Sequence, residues 1–212
     1  MDLLDLESTF EDASNLPGVG EIFKYSFVSV DKNYENDPMK GRIKDTSCGE
    51  TAVYTFNKIV DLYDKKVIDI IRLSKEKDYL TLIHFKHNDN RIPVLVAAGG
   101  AYYFVCNGVE AFPTAVKLYE EGFDVFVFTY STMPKALDSI DELAMAIKYI
   151  IDNSKKLNVD AEKYTCLGFS AAGHLISQIG TTNHGYKKYN LPKPYAPGLV
   201  YPVINLDCGP LR

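Results

Sequence analysis

From residue 92 onward the chain alternates between two hydrophobic periods, and that alternation most narrows the folds open to it. Ile92 to Ala98, Asp124 to Tyr130, Tyr164 to Phe169 and Gly198 to Leu206 are short apolar runs with strand character. Their starts are separated by 32, 40 and 34 residues. Between them lie helix-period stretches. Val109 to Glu121 aligns Phe112, Val116 and Tyr119, Ala136 to Asn153 aligns Leu137, Ile140, Ala144, Ile147 and Ile151, and Ala171 to Ile179 follows. Strands joined by helices of this length pair in parallel through right-handed crossovers, which bury both sheet faces. The expected fold is α/β, a doubly wound and mostly parallel sheet. Tyr79 to Phe85 and Ile92 to Ala98, separated by His87, Asn88, Asp89 and Asn90, are expected to add an antiparallel hairpin at its beginning. In such sheets the ligand site lies at the carboxyl ends of the strands.

Residues 1–78 read as an N-terminal extension packed on a core of residues 79–212. Within it, Leu3 to Phe10 suggests a short helix, Tyr25 to Val30 a strand, and Asp31 to Glu50 a loop. Thr51 to Tyr63 places Val53, Phe56, Val60 and Tyr63 on one helical face. No repeat or linker divides the 212 residues, a length suited to one domain.

Composition excludes several partners. The 28 acids and 23 bases give a net charge of −5, with six acids and no Lys or Arg between Met1 and Phe23. No basic patch stands out, so nucleic acid is not an expected partner. The longest apolar run, Val94 to Cys106, has 13 residues and is too short to span a bilayer. The acidic opening lacks the basic and apolar regions of a secretory signal, which makes a cytoplasmic location the expectation. Cys48, Cys106, Cys166 and Cys208 have no metal-ligand spacing, so neither a metal nor another cofactor is expected. Cys106 and Cys166 read as small packing hydrophobes.

Two motifs stand at strand ends. Gly168-Phe169-Ser170-Ala171-Ala172-Gly173-His174 runs from a strand directly into a helix, which presents Ser170 on a sharp turn that needs small neighbours. A serine there can also be a simple helix cap. Ala98-Gly99-Gly100-Ala101-Tyr102 follows the strand Ile92 to Ala98, and its glycines let backbone N–H groups approach a ligand. It can equally be an ordinary glycine turn.

Taken together and in this order, the motifs resemble the α/β-hydrolase superfamily, and within it the small serine esterases that include acetyl xylan and feruloyl esterase-like proteins. The resemblance covers Arg91 to Leu206 and rests on the glycine loop, on Glu110 early in the next helix, on GFSAAGHL through Leu175, and on Tyr201-Pro202-Val203-Ile204. It implies a carboxylesterase acting on small acyl or sugar-acyl esters, with Ser170 as nucleophile. Ala171 N–H and that of Gly100 or Ala101 would form the oxyanion hole. Tyr102, Tyr103 and Glu110 would line the substrate entrance. Alanine at 101 and 172, where the family has glycine, would narrow the acyl pocket.

The family triad runs Ser, then Asp or Glu, then His. After Ser170 the only acid is Asp207, and His174 and His184 both precede it. Asp207 and His174 are the available acid and surrogate base, while His84 and His87 lie toward the far end of the sheet. The sheet is therefore expected to lack its last two strands, leaving an incomplete or inactive esterase whose exposed last strand invites self-association. A noncatalytic binding or dimerising protein, and a peptidase-like hydrolase with an unusual base, remain alternatives.

Overall fold

The structure, a computed structural model, describes residues 4–31 and 37–204. Among these residues, six strands form one sheet in the order β1-β2-β4-β3-β5-β6. They are β1 Ile68–Arg72, β2 Thr81–Phe85, β3 Pro93–Ala97, β4 Asp124–Thr129, β5 Thr165–Phe169 and β6 Ala196–Val200. The helices are α1 Phe10–Ser14, α2 Gly20–Phe23, α3 Gly49–Asp64, α4 Ala111–Glu120, α5 Ser139–Asp152, α6 Ser154–Leu157 and α7 Ser170–Ile179. β4, β3, β5 and β6 run parallel, as the rhythm of strands and helices requires. The chain leaves β3 through α4 to reach β4 on one side, then returns through α5 to reach β5 on the other. Right-handed crossovers in opposite directions put the helices on opposite faces. α3 and α4 pack together on one face, and α5 and α7 on the other. The reversal places the switch point, where open sheets bind ligands, at the carboxyl end of β3.

The hairpin is real but uses other strands. β2 pairs antiparallel with β1 and with β4, and not with β3. The turn-like residues after Phe85 instead lead past β4, because the buried apolar run of β4 fills the place between them. β1 was not expected. As an edge strand it mixes Asp69 and Arg72 with Ile68, Ile70 and Ile71, so its alternation is weak.

Four further expectations need correction. Leu3 to Phe10 is not helical; a Thr9–Asp12 capping box starts α1 at Phe10. Tyr25 to Val30 forms only a bridge between Val28 and Val105. Leu137 is 78% exposed because it belongs to a one-turn 3-10 helix, Ala136–Asp138, out of phase with α5. The last strand ends at Val200, with Tyr201 turning away at φ 36°.

The N-terminal residues share the main core. Phe56 of α3 makes ring contacts with Phe10 at 5.5 Å, Phe23 at 4.7 Å and Phe112 of α4 at 6.3 Å. Cys166 is free and buried within the sheet, and burial pushes its thiol up to about 12.

Candidate active site

β5 ends at Phe169, and Ser170 opens α7 with φ 49°. A left-handed conformation costs a residue with a side chain about 1–2 kcal/mol, so surrounding contacts must hold it. Val203 N–H donates to Ser170 O at 3.0 Å, and the Tyr201 ring lies 5.8 Å from that of Phe169. Glycine is required on both sides of the turn. A Cβ at Gly168 would lie 2.5 Å from Ala172 O, and one at Gly173 2.8 Å from Pro202 Cβ. Phe169 supplies no side-chain cap, and first-turn N–H groups such as that of Ala171 have no acceptor within the helix. Those groups carry the positive end of the helix dipole, so a developing anion beside Ser170 would be stabilised there.

The glycine loop meets this turn directly. A Cβ on Gly99 would lie 2.7 Å from Ser170 Cβ and 2.8 Å from Phe169 O. Gly100 has φ 131°, and Ala101 and Tyr102 follow at 52° and 63°. The Gly100 carbonyl accepts from the N–H groups of Tyr103 and Phe104 at 2.9 and 3.0 Å, which curls the loop back on itself. Three bonds fix its ends. Gly99 N–H donates to Glu110 Oε2 at 2.6 Å, Cys106 N–H to Gly99 O at 3.0 Å, and the Tyr130 hydroxyl to Ala98 O at 2.7 Å. The other Glu110 oxygen accepts from the Tyr201 hydroxyl at 3.0 Å. Burial first, and then this bond, push the Tyr201 phenol up to about 12. Glu110 is thus a strut between the loop and the chain that crosses the turn. Gly99 and Tyr201 each stood in a quoted motif, but neither was given a role at the site from sequence; the paired glycines marked the first, and nothing in the Tyr201 segment pointed to Glu110.

The tyrosines divide. Tyr103 is 44% exposed, whereas Tyr102 is 2% exposed and forms a wall from within. Its hydroxyl lies 2.7 Å from His174 Nδ1, and Gln178 Nε2 lies 2.8 Å from His174 Nε2. With the amide nitrogen donating, Nε2 accepts and Nδ1–H donates to Tyr102. Both ring nitrogens are then occupied, and burial holds the imidazole below its ordinary value.

The other histidines are elsewhere. His84 Nε2 bonds Asp124 Oδ1 at 2.6 Å, both groups buried, at the end of the sheet away from Ser170. His87 Nε2 lies 3.1 Å from Tyr119 O. His184 is exposed on the turn Thr182–Tyr186. Among the described residues no hydrogen bond joins Ser170 Oγ to a histidine. Asp207 lies outside the described residues. No group of three potential metal ligands, and no helix long and apolar enough to cross a membrane, occurs among the described residues.

The solved structure of an acetyl ester-xyloside bifunctional hydrolase from Caldicellulosiruptor lactoaceticus is 29% identical, with a TM-score of 0.53 over 66% of this chain and 58% of that one. The carboxylesterase Cest-2923 from Lactobacillus plantarum shares the fold at 20% identity and a TM-score of 0.56, covering 68% of this chain and 60% of that one. Among curated proteins, endo-1,4-beta-xylanase B of Butyrivibrio fibrisolvens is 29% identical over 136 residues, which are 58% of this chain and 21% of the relative. The acetylxylan esterase of Xylanibacter ruminicola is 25% identical over 143 residues, 65% of this chain and 28% of the relative. The chain therefore spans less than a third of either curated relative. Residues 80–196, more than half of the chain, match the BD-FAE family. With its doubly wound sheet, glycine loop and serine turn, this chain belongs to the BD-FAE family of esterase-like α/β-hydrolases.

Proposed function

We propose that Ser170 is the nucleophile of a serine carboxylesterase that removes small acyl groups from sugars. The observation that carries this reading is the left-handed Ser170 held against Gly99, which brings a hydroxyl, a helix N-terminus and a glycine loop to one point. Ser170 Oγ attacks the acyl carbonyl. The resulting oxyanion receives the N–H of Ala171 and of Gly100 or Ala101, each such donor being worth about 3–4 kcal/mol of barrier. Collapse breaks the ester C–O bond, the proton lost by Ser170 passes through a base to the departing sugar oxygen, and water then hydrolyses the acyl-serine.

A serine hydroxyl needs a base, and His174 has both nitrogens engaged. All four histidines lie among the described residues and none bonds Ser170 Oγ, so the base is proposed to come from outside these 212 residues, which makes the chain by itself an incomplete catalyst. The names of the acetylxylan esterase and the acetyl ester-xyloside hydrolase support an acetylated carbohydrate as the substrate class. The engaged imidazole also favours one rival, a scaffold that binds without cleaving.

Incubation with p-nitrophenyl acetate and added imidazole, followed by intact mass and peptide mapping, decides between them. The esterase reading expects an acetyl group on Ser170 that Ser170→Ala abolishes. Acetylation spread over lysines, with none on Ser170, would overturn it.

A further inference from the structure

We infer that a groove between the N-terminal segment and the β1–β2 hairpin binds the sugar chain that carries the ester, at a distance from the serine. This rests on the carbohydrate-ester reading above. The groove encloses about 540 Å³, within the range of small-molecule sites. Its lining residues fall between Glu21 and Tyr79, all before residues 80–196 that match the family.

The lining suits a neutral polyol. Phe27 and Tyr79 offer apolar ring surface, the kind a pyranose C–H face can cover, and both rings are held in place. Phe27 packs edge-on against Phe10 at 4.8 Å, and the Tyr79 hydroxyl lies 2.8 Å from Ser131 Oγ. Ser131 is itself fixed by Glu142, whose oxygens accept from its N–H and hydroxyl at 2.7 and 2.6 Å. On the rim, Glu21 pairs with Lys24 at 2.8 Å and with Arg72 at 2.9 Å. Paired charges present fixed donors and acceptors without the net positive field that a free anion would seek. Ser29 is one of the lining residues, and its Oγ is buried without a hydrogen-bond partner, so a small shift of the groove wall would bring an unsatisfied hydroxyl to a ligand.

Position ties the groove to the serine turn. Arg72 pairs in register with Thr81, and Thr81 with Thr129, at the same end of the sheet as Gly168 and Ser170. Four strand spacings of about 4.8 Å separate β1 from β5, so the two sites stand about 19 Å apart along one rim. A ligand with several linked sugars can reach both, whereas a single acylated sugar cannot. The groove wall also holds the glycine loop: Val28 and Val105 exchange two backbone bonds at 3.1 and 2.8 Å, and Gly108 N–H donates to Ser26 O at 2.7 Å.

The test is calorimetric titration of the 212-residue chain with xylohexaose, which requires no turnover. Saturable binding is expected, unchanged in Ser170→Ala and weakened about tenfold, near 1.4 kcal/mol, by Phe27→Ala or by the rim variant Arg72→Met. Arg72 and Lys24 are exposed, so Arg72→Met and Lys24→Met test the groove even where Phe27→Ala unfolds the chain. No binding, binding that these variants leave intact, or displacement of the sugar by inorganic phosphate would each overturn the inference. Acetylation of Ser170 without xylohexaose binding sinks the groove alone; binding without acetylation sinks the esterase alone.

Discussion

Gly99→Ala tests the contact on which the site depends. The added methyl meets two atoms that cannot swing aside, Ser170 Cβ at 2.7 Å and Phe169 O at 2.8 Å, and a third, Glu110 Oε2, at 3.3 Å. Gly99 has no left-handed φ, so the cost is steric rather than conformational. Overpacking of this kind costs about 1–3 kcal/mol. At about 2–4 °C per kcal/mol for a chain of this length, Tm should fall by about 2–12 °C. Ser170→Gly removes one of the two closest contacts and also frees the left-handed turn. That relief of about 1–2 kcal/mol is partly offset by about 0.5–1 kcal/mol of added unfolded-state entropy. Gly99→Ala should therefore be less damaging beside Ser170→Gly than alone, with a coupling above about 0.5 kcal/mol. Urea unfolding of the parent, both single variants and the double variant measures it. Additivity within about 0.5 kcal/mol, or a Gly99→Ala chain as stable as the parent, would refute the proposed close approach.

Further outcomes follow from individual bonds. Glu110→Ala strips the acceptor from Gly99 N–H and should cost about 1–3 kcal/mol in urea unfolding, whereas Glu110→Gln keeps an acceptor and should cost less. Equal losses would argue against the strut. His84→Leu leaves the Asp124 carboxylate buried with only the long His87 N–H contacts, and should cost about 3–5 kcal/mol; a loss under about 1 kcal/mol would show the pair to be unimportant. Burial lowers the folded pKa of His174 below its ordinary 6.5, so its neutral form is favoured by folding. That contribution is complete above the unfolded pKa and is lost as pH falls through the folded value. The urea midpoint should therefore drop as pH falls below the ordinary 6.5, and less steeply in His174→Gln; parallel curves would contradict the assignment.

Legibility from sequence tracked how local each signal was. The parallel strands β3, β4 and β5 were readable because each is a short, mostly apolar run followed by a helix, and the serine turn because Gly168, Ser170 and Gly173 fall within six residues of one another. β1 escaped because an edge strand open on one side tolerates Asp69 and Arg72 among its isoleucines. The partnership of β2 with β4 escaped for a different reason. Strand order depends on which surfaces match across the sheet, and the polar residues His87 to Asn90 describe a turn equally well when it crosses over a neighbour. Leu137 failed by phase, since one 3-10 turn before α5 shifts it off the buried stripe. The placing of Ser170 and the glycine loop together at the strand ends was legible, but Glu110 as a strut was not. Its partners are eleven residues upstream and ninety-one downstream, a relation that no periodicity encodes.

The bridge between Val28 and Val105 bears on how the chain folds. With Asn107 reaching back 82 residues to Tyr25 O, and Val30 N–H reaching forward 102 residues to Thr132 Oγ1, the glycine loop is fastened by contacts distant in sequence. Closing such loops costs entropy before any contact compensates, so these contacts form after the α/β layers they join. The sheet can be built while the loop beside Ser170 is still unformed. In pulse-labelled hydrogen exchange during refolding, Val105 N–H should gain protection after Val127 N–H, and simultaneous protection would contradict that order. Acquisition of the fold and acquisition of the site are, on this ordering, two events in time.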